Sequence, residues 1–139
     1  MVIRAAQMAD RDRLFDLLCQ FAWSATPNRE AFDVGFPAIM ADNNTYLRVA
    51  CDETGMVLGY SLAVLQWTLY ANGQIILLQE LMVAPEHRRR GIGMKLIAAL
   101  TDDARRAGAK EITVATRRAK EYYPRFGFTE IAGYFKMKL

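Results

Sequence analysis

The chain has 139 residues, of which 53% are hydrophobic and 24% charged. That composition describes one folded domain with one core and excludes a disordered chain. No apolar run approaches the roughly 20 residues that cross a bilayer, and residues 1–4 lack the apolar stretch of a secretory leader, so a cytoplasmic location is expected. The net charge is only +3, with basic residues gathered at 88–90, 105–106 and 117–120, which suits a local anionic ligand better than a polyanion such as nucleic acid.

Residues 2–5 read as a short opening strand. Asp10 is placed to cap a helix that carries Leu14, Leu17, Leu18 and Phe21 on one side. Pro27 and Asn28 break the chain before a second helix over 29–40. A strand over 46–51, a turn at 52–55 and a strand over 56–65 form a hairpin. Residues 67–73 are expected to be a loop, and the apolar run 75–83 a buried central strand. An amphipathic helix follows over 92–107, with Ile92, Leu96, Ala99, Leu100 and Ala104 at helical spacing and Gly108 as its C-cap. The strand expected at 111–115 completes a strand–helix–strand unit, which implies parallel neighbours and a right-handed crossover. A short helix over 117–126 and a final strand over 129–139 close a single α/β domain spanning 1–139.

The strand-to-helix turn after residue 83 carries the clearest chemistry. Arg88, Arg89, Arg90, Gly91, Ile92 and Gly93 lie where helix N–H groups are unpaired and the helix dipole is positive. Glycines there let a ligand approach the backbone, so the turn reads as a phosphate site. A bound anion also offsets the repulsion among three successive arginines.

Cys19 and Cys51 lie far apart in apolar contexts and read as reduced, packed thiols, and a single histidine argues against a metal site. His87 reads as a turn residue with no nucleophile beside it.

These residues resemble the GNAT superfamily of acyl-CoA-dependent N-acyltransferases. The family's phosphate motif, Gln/Arg-x-x-Gly-x-Gly/Ala, is met by Arg88 to Gly93, and Leu81-Met82-Val83-Ala84-Pro85 is similar to its strand ending in a Val-x-Pro turn. A second block, Ala119-Lys120-Glu121-Tyr122-Tyr123-Pro124-Arg125-Phe126-Gly127-Phe128, matches the family's Ala-x-x-Phe-Tyr-x-x-x-Gly-Phe. The order of elements agrees along essentially the whole chain. The resemblance implies a mixed, mostly antiparallel central sheet with flanking helices and a β-α-β core that binds CoA.

It further implies acetyl-CoA as co-substrate; no metal is expected, on the ground of the single histidine. N–H groups from Arg89 to Met94 would hold the pyrophosphate, and the strand backbone around Leu81, Met82 and Val83 would pair with the pantetheine arm. One of those N–H groups would polarise the thioester carbonyl. Tyr123 falls where many members keep a general acid for the CoA thiolate, while Tyr122 reads as packing. Many members place Asn seven residues before that Tyr; here the position is Thr116, whose hydroxyl can still cap a helix.

Glu80 interrupts the central apolar strand, where a carboxylate is costly to bury. A base with a raised pKa would remove the proton from an attacking amine, and Glu80 is the carboxylate best placed for it; a structural carboxylate is the competing reading. Gln79 points to the opposite face. Glu111, at a strand start, is expected in solvent. Trp23, Trp67 and Tyr70 are candidates for the acceptor pocket or for packing. The acceptor is expected to be a primary amine of a small molecule or peptide. A non-catalytic acyl-CoA-binding module on the same fold is the alternative, and exposed sheet edges leave room for a homodimer.

Overall fold

A computed structural model describes residues 1–21, 25–116 and 119–139. The chain runs β1 (Val2–Ala5), α1 (Arg11–Cys19), α2 (Arg29–Ala41), β2 (Thr45–Cys51), β3 (Val57–Thr68), β4 (Gly73–Val83), α3 (Ile92–Ala107) and β5 (Ile112–Val114). The five strands form one sheet in the order β1-β2-β3-β4-β5. The first three junctions are antiparallel, and only β4–β5 is parallel. This is the mixed α/β sheet that the pattern of elements predicts, and the mostly antiparallel one that the resemblance implies. No helix among the described residues is long and apolar enough to cross a membrane.

Both sheet faces are covered. On one, Leu14 and Leu17 of α1 and Phe36 of α2 pack with Val49, Tyr60 and Met82. On the other, Ile97, Leu100 and Ala104 of α3 pack with Ala63, Ile76 and Leu78. The Asp103 carboxylate is only 3% exposed, and it is held by Arg48 from β2 and by Arg106 one turn along α3. Burial pushes Asp103 up, but hydrogen bonds from the two guanidinium groups outweigh it and leave the carboxyl below its ordinary range. The helix ends at Gly108, whose φ of 72° lies in the left-handed region that glycine enters without a Cβ clash.

β4 is not one uninterrupted strand. Leu62 of β3 faces Glu80 and Ala63 faces Leu78, so Gln79 is an extra residue, a β-bulge. The bulge reverses the side-chain alternation. Before it, Ile76 and Leu78 face α3; after it, Met82 faces α1 and α2. Glu80, two residues before Met82, is thereby turned to the α1 and α2 side.

Four sequence-based expectations are corrected. Asp10 does not cap α1 with its side chain. Its backbone is helical (φ −81°, ψ −6°), and its carboxylate accepts from Arg4 at 2.8 and 2.9 Å and from the Gln7 N–H at 2.7 Å, closing a 3-10 turn before the helix. Second, 67–73 is not all loop: β3 and β4 stay paired out to Thr68 and Gly73. The Thr68 hydroxyl donates to the Gly73 carbonyl at 2.6 Å, and Asn72 adopts a φ of 61° to make the tight return.

Third, the helix expected over 117–126 is reduced, within the described residues, to a 3-10 turn at Tyr123–Phe126, which stops where Gly127 enters the left-handed region at φ 87°. Residues 117 and 118 lie outside the described residues. Fourth, residues 129–139 form no strand. Ile131, Tyr134, Phe135, Met137 and Leu139 are exposed. The tail has a strand's alternation, but β5 is only three residues long and its outer edge pairs with no described strand.

Candidate functional site

The bulge also decides which backbone groups face the open edge of β4. Before it, the Ile76 N–H donates to Glu111 beside β5 at 3.0 Å, and Ile76, Leu77 and Leu78 pair with Ile112, Thr113 and Val114. Pairing with β5 ends there. Beyond it, the Ala84 N–H donates to Leu58 on the β3 side at 2.8 Å. Because N–H direction alternates along a strand, Met82 and Glu80 also present N–H to β3. Leu81 and Val83 present theirs to the open edge. β4 and β5 therefore part as a fork, and the free edge starts at the bulge. A cavity of about 190 Å³ sits in the fork, lined by Leu77, Leu78, Gln79, Ala115 and Tyr134.

The open edge leads into the arginine–glycine turn. A 3-10 turn at Pro85–His87 carries the chain off β4. Arg89 (φ 63°) and Gly91 (φ 78°) both adopt left-handed backbone, which is costly for a non-glycine residue and recurs at ligand sites. The first helical bond of α3 runs from the Lys95 N–H to the Gly91 carbonyl at 3.1 Å. Ile92, Gly93 and Met94 thus have N–H groups without a helical acceptor. Arg89 and Arg90 are exposed beside them.

Arg88 behaves differently. Its Nε donates to the Val83 carbonyl at 3.1 Å, and its guanidinium lies 5.0 Å from the centre of the Phe21 ring. It therefore bridges the open edge of β4 to the segment that follows α1.

Glu80 is partly buried on the α1 and α2 face. The Tyr60 hydroxyl donates to its Oε2 at 3.4 Å. Burial pushes the Glu80 carboxyl up from its ordinary value, and the Tyr60 bond offsets part of that rise. Tyr60 is itself held far above the ordinary phenol range, first by burial and then by the neighbouring carboxylate. Gln79 is exposed at the mouth of the fork.

Tyr123 is 8% exposed and packs edge-on against Tyr122 and Phe128 within the α3-side core. Burial, with a smaller contribution from Tyr122, pushes its phenol up to about 12. Thr116 follows β5, and its hydroxyl accepts from the Ala119 N–H at 3.0 Å, the bond a capping side chain makes.

Two residues gain importance beyond the sequence reading. Tyr122 packs in the α3-side core as expected, and a Cβ at Gly93 would run into its hydroxyl, so the phenol also reaches the unpaired head of α3. Tyr60 enters only because the bulged β3–β4 register sets it diagonally across from Glu80. The second glycine of the turn was the available signal for Tyr122; nothing local in the sequence marks Tyr60.

Other candidates lie elsewhere. Trp67 and Tyr70 are 78% and 71% exposed near the tip of the β3–β4 hairpin, remote from the bulge along β4. The Tyr70 hydroxyl donates to Glu111 at 2.7 Å, on the surface as expected for that carboxylate. His87 is half-buried, and its Nδ1 has no hydrogen-bond partner among the described residues. Trp23 lies outside the described residues. Cys51 is buried with its thiol pushed up by burial, whereas Cys19 is exposed at the end of α1, contrary to the expectation that both thiols are packed.

The chain is similar to known acetyltransferases. Residues 42–130 match the acetyltransferase (GNAT) domain family. The aminoalkylphosphonate N-acetyltransferase of Salmonella typhimurium is 32% identical over 132 residues, covering 92% of this chain and 84% of that protein. The uncharacterized N-acetyltransferase YhfO of Bacillus subtilis is 27% identical, covering 96% of this chain and 93% of that one. In fold alone, the chain is similar to a transcriptional regulator from Bacillus halodurans, with a TM-score of 0.89 at 20% identity over 99% of both chains.

Proposed function

The chain belongs to the GNAT acetyltransferase family and is an N-acetyltransferase that uses an acyl-CoA donor, and from that premise we propose that it moves an acetyl group from acetyl-CoA to a primary amine by direct attack in a ternary complex. One observation carries the reading: the Gln79 bulge opens the edge of β4 at Leu81 and Val83, and that edge runs into the unpaired head of α3. A pantetheine arm laid along the edge as an extra strand brings its pyrophosphate to the N–H groups from Arg89 to Met94. The thioester then lies at the fork, beside Leu81 and within reach of groups on either side of the sheet.

Chemistry follows from that placement. The amine arrives protonated, and Glu80, directly or through an ordered water, takes its proton. Burial gives the carboxylate the raised basicity this step needs. The neutral nitrogen attacks the carbonyl carbon, and the negative charge on oxygen is met by the Leu81 N–H. When the tetrahedral intermediate collapses, the C–S bond breaks, CoA departs as the thiolate with Tyr123 donating a hydrogen bond to its sulfur, and the nitrogen releases its second proton to that thiolate or to solvent, leaving the neutral amide. With its phenol near 12, Tyr123 holds its proton throughout the working pH range. An ordinary thiol at ~8.5 is the stronger acid, so the phenol acts chiefly as a hydrogen-bond donor while sulfur charge develops. Thr116, near the mouth of the fork, takes the place of the family's Asn.

The relative's acceptor directs the choice of amine. An aminoalkylphosphonate is a small primary amine bearing an anionic group, and such amines head the panel to test against this chain. The experiment is thiol release from acetyl-CoA with aminoalkylphosphonates, amino acids, polyamines and peptide N-termini. Amine-dependent release for at least one class is the expected result. Acetyl-CoA binding without release for any amine would overturn the reading.

A further inference from the structure

We propose that Tyr60 is the positioning residue for the Glu80 carboxylate, aiming one oxygen at the incoming amine by holding the other. The inference rests on the reading of Glu80 as the base, and on a juxtaposition created by the bulge. Without Gln79 as an extra residue, Glu80 would continue the alternation of Ile76 and Leu78 and face α3. With it, Glu80 sits diagonally across from Tyr60 on the α1 and α2 side. Tyr60 is 4% exposed and its ring is fixed among Leu14, Leu17, Phe36, Val49 and Met82, so its hydroxyl has little freedom to point elsewhere.

The hydroxyl donates to Oε2, and Oε1 makes no hydrogen bond within the described residues. Pinning one oxygen of a rotatable carboxylate reduces the freedom lost when the other oxygen meets the amine. Here the pin is a neutral donor, which lowers the basicity of the carboxylate without extinguishing it. The surroundings leave that control to Tyr60. α1 and α2 contribute Leu14, Leu17 and Phe36 to the cluster and β2 contributes Val49 and the Cys51 thiol, and among the described residues Tyr60 is the titratable group that acts on Glu80. Tyr60 transfers no proton. Buried beside a carboxylate, it stays protonated at any working pH, and the amine proton goes to the free Glu80 oxygen.

The test is the pH profile of kcat/KM with saturating acetyl-CoA for wild type, Tyr60→Phe and Glu80→Gln, using the most active amine from the panel. Phenylalanine keeps the buried ring and removes only the donor. Loss of the bond makes Glu80 harder to deprotonate, so the acid limb of Tyr60→Phe moves to higher pH by about one unit. Below the limb, activity falls about tenfold at a given pH. The affinity for acetyl-CoA, read by calorimetry, is expected to stay within about twofold and shows that the variant is folded. Glu80→Gln is expected to abolish the limb. If Glu80→Gln abolishes it but Tyr60→Phe leaves it in place, Tyr60 does not position the base, while the base reading stands. If the limb survives in Glu80→Gln, the base is another group, and both readings fall.

Discussion

The proposed donor side and the proposed acceptor side of this domain are built by opposite strategies. The donor side is backbone: the open edge of β4, the left-handed turn at Arg89 and Gly91, and the unpaired N–H groups at the head of α3. Such a site needs only permissive residues at the right offsets, and a short motif announces it. The acceptor side is assembled from side chains on separate elements. Glu80 comes from β4, Tyr60 from β3, and the apolar wall around them from α1 and α2. The difference teaches that a backbone site is legible in a short motif, whereas a side-chain site depends on a register that brings distant residues together.

The sharpest way to break this comparison is to remove the base alone. Glu80→Gln is expected to lower kcat/KM at pH 7 by about 10²- to 10⁴-fold, with donor affinity unchanged in calorimetry. In wild type, activity should fall as pH drops through the pKa of Glu80. Burial raises that pKa, so the limb lies above the ordinary glutamate value of about 4.3, and the carboxylate is active on its alkaline side. A variant that keeps wild-type activity would make Glu80 structural.

Tyr123→Phe is expected to have a smaller effect, lowering kcat about ten- to a hundredfold with little change in KM, since it removes a hydrogen bond made mainly as the sulfur departs. Steady-state kinetics separates the two constants, and equal activity would remove Tyr123 from the chemistry. At the bottom of the scale is Trp67→Ser. Trp67 is 78% exposed near the hairpin tip, and the substitution should leave kcat/KM within about twofold, as surface changes do. A large rise in the acceptor KM would instead bring the hairpin into the acceptor side.

What the sequence made legible divides along the same line. The arginine–glycine turn, α3 with its Gly108 cap, and the strand–helix–strand unit were all readable, because each depends on local periodicity and on glycines at positions of positive φ. Glu80 could be singled out as an anomaly in an apolar strand. Its partner could not, because Tyr60 and Glu80 are 20 residues apart and meet only through a register shifted by one bulge. Alternation predicted a strand over 129–139, yet a strand also needs a partner edge, and alternation carries no information about one. The capping role expected of Asp10 failed for a similar reason: Arg4, on a strand, captured the carboxylate.

The central claim is that the open β4 edge and the head of α3 together hold acetyl-CoA, and calorimetric titration of acetyl-CoA into wild type and Gly93→Val tests it most directly. A side chain at 93 presses on the Tyr122 hydroxyl and crowds the helix head. The account predicts one-site binding to wild type in the micromolar range, weakened about tenfold to a hundredfold in Gly93→Val by the steric cost. No heat from wild type at millimolar acetyl-CoA, or equal affinity in the two proteins, would contradict it.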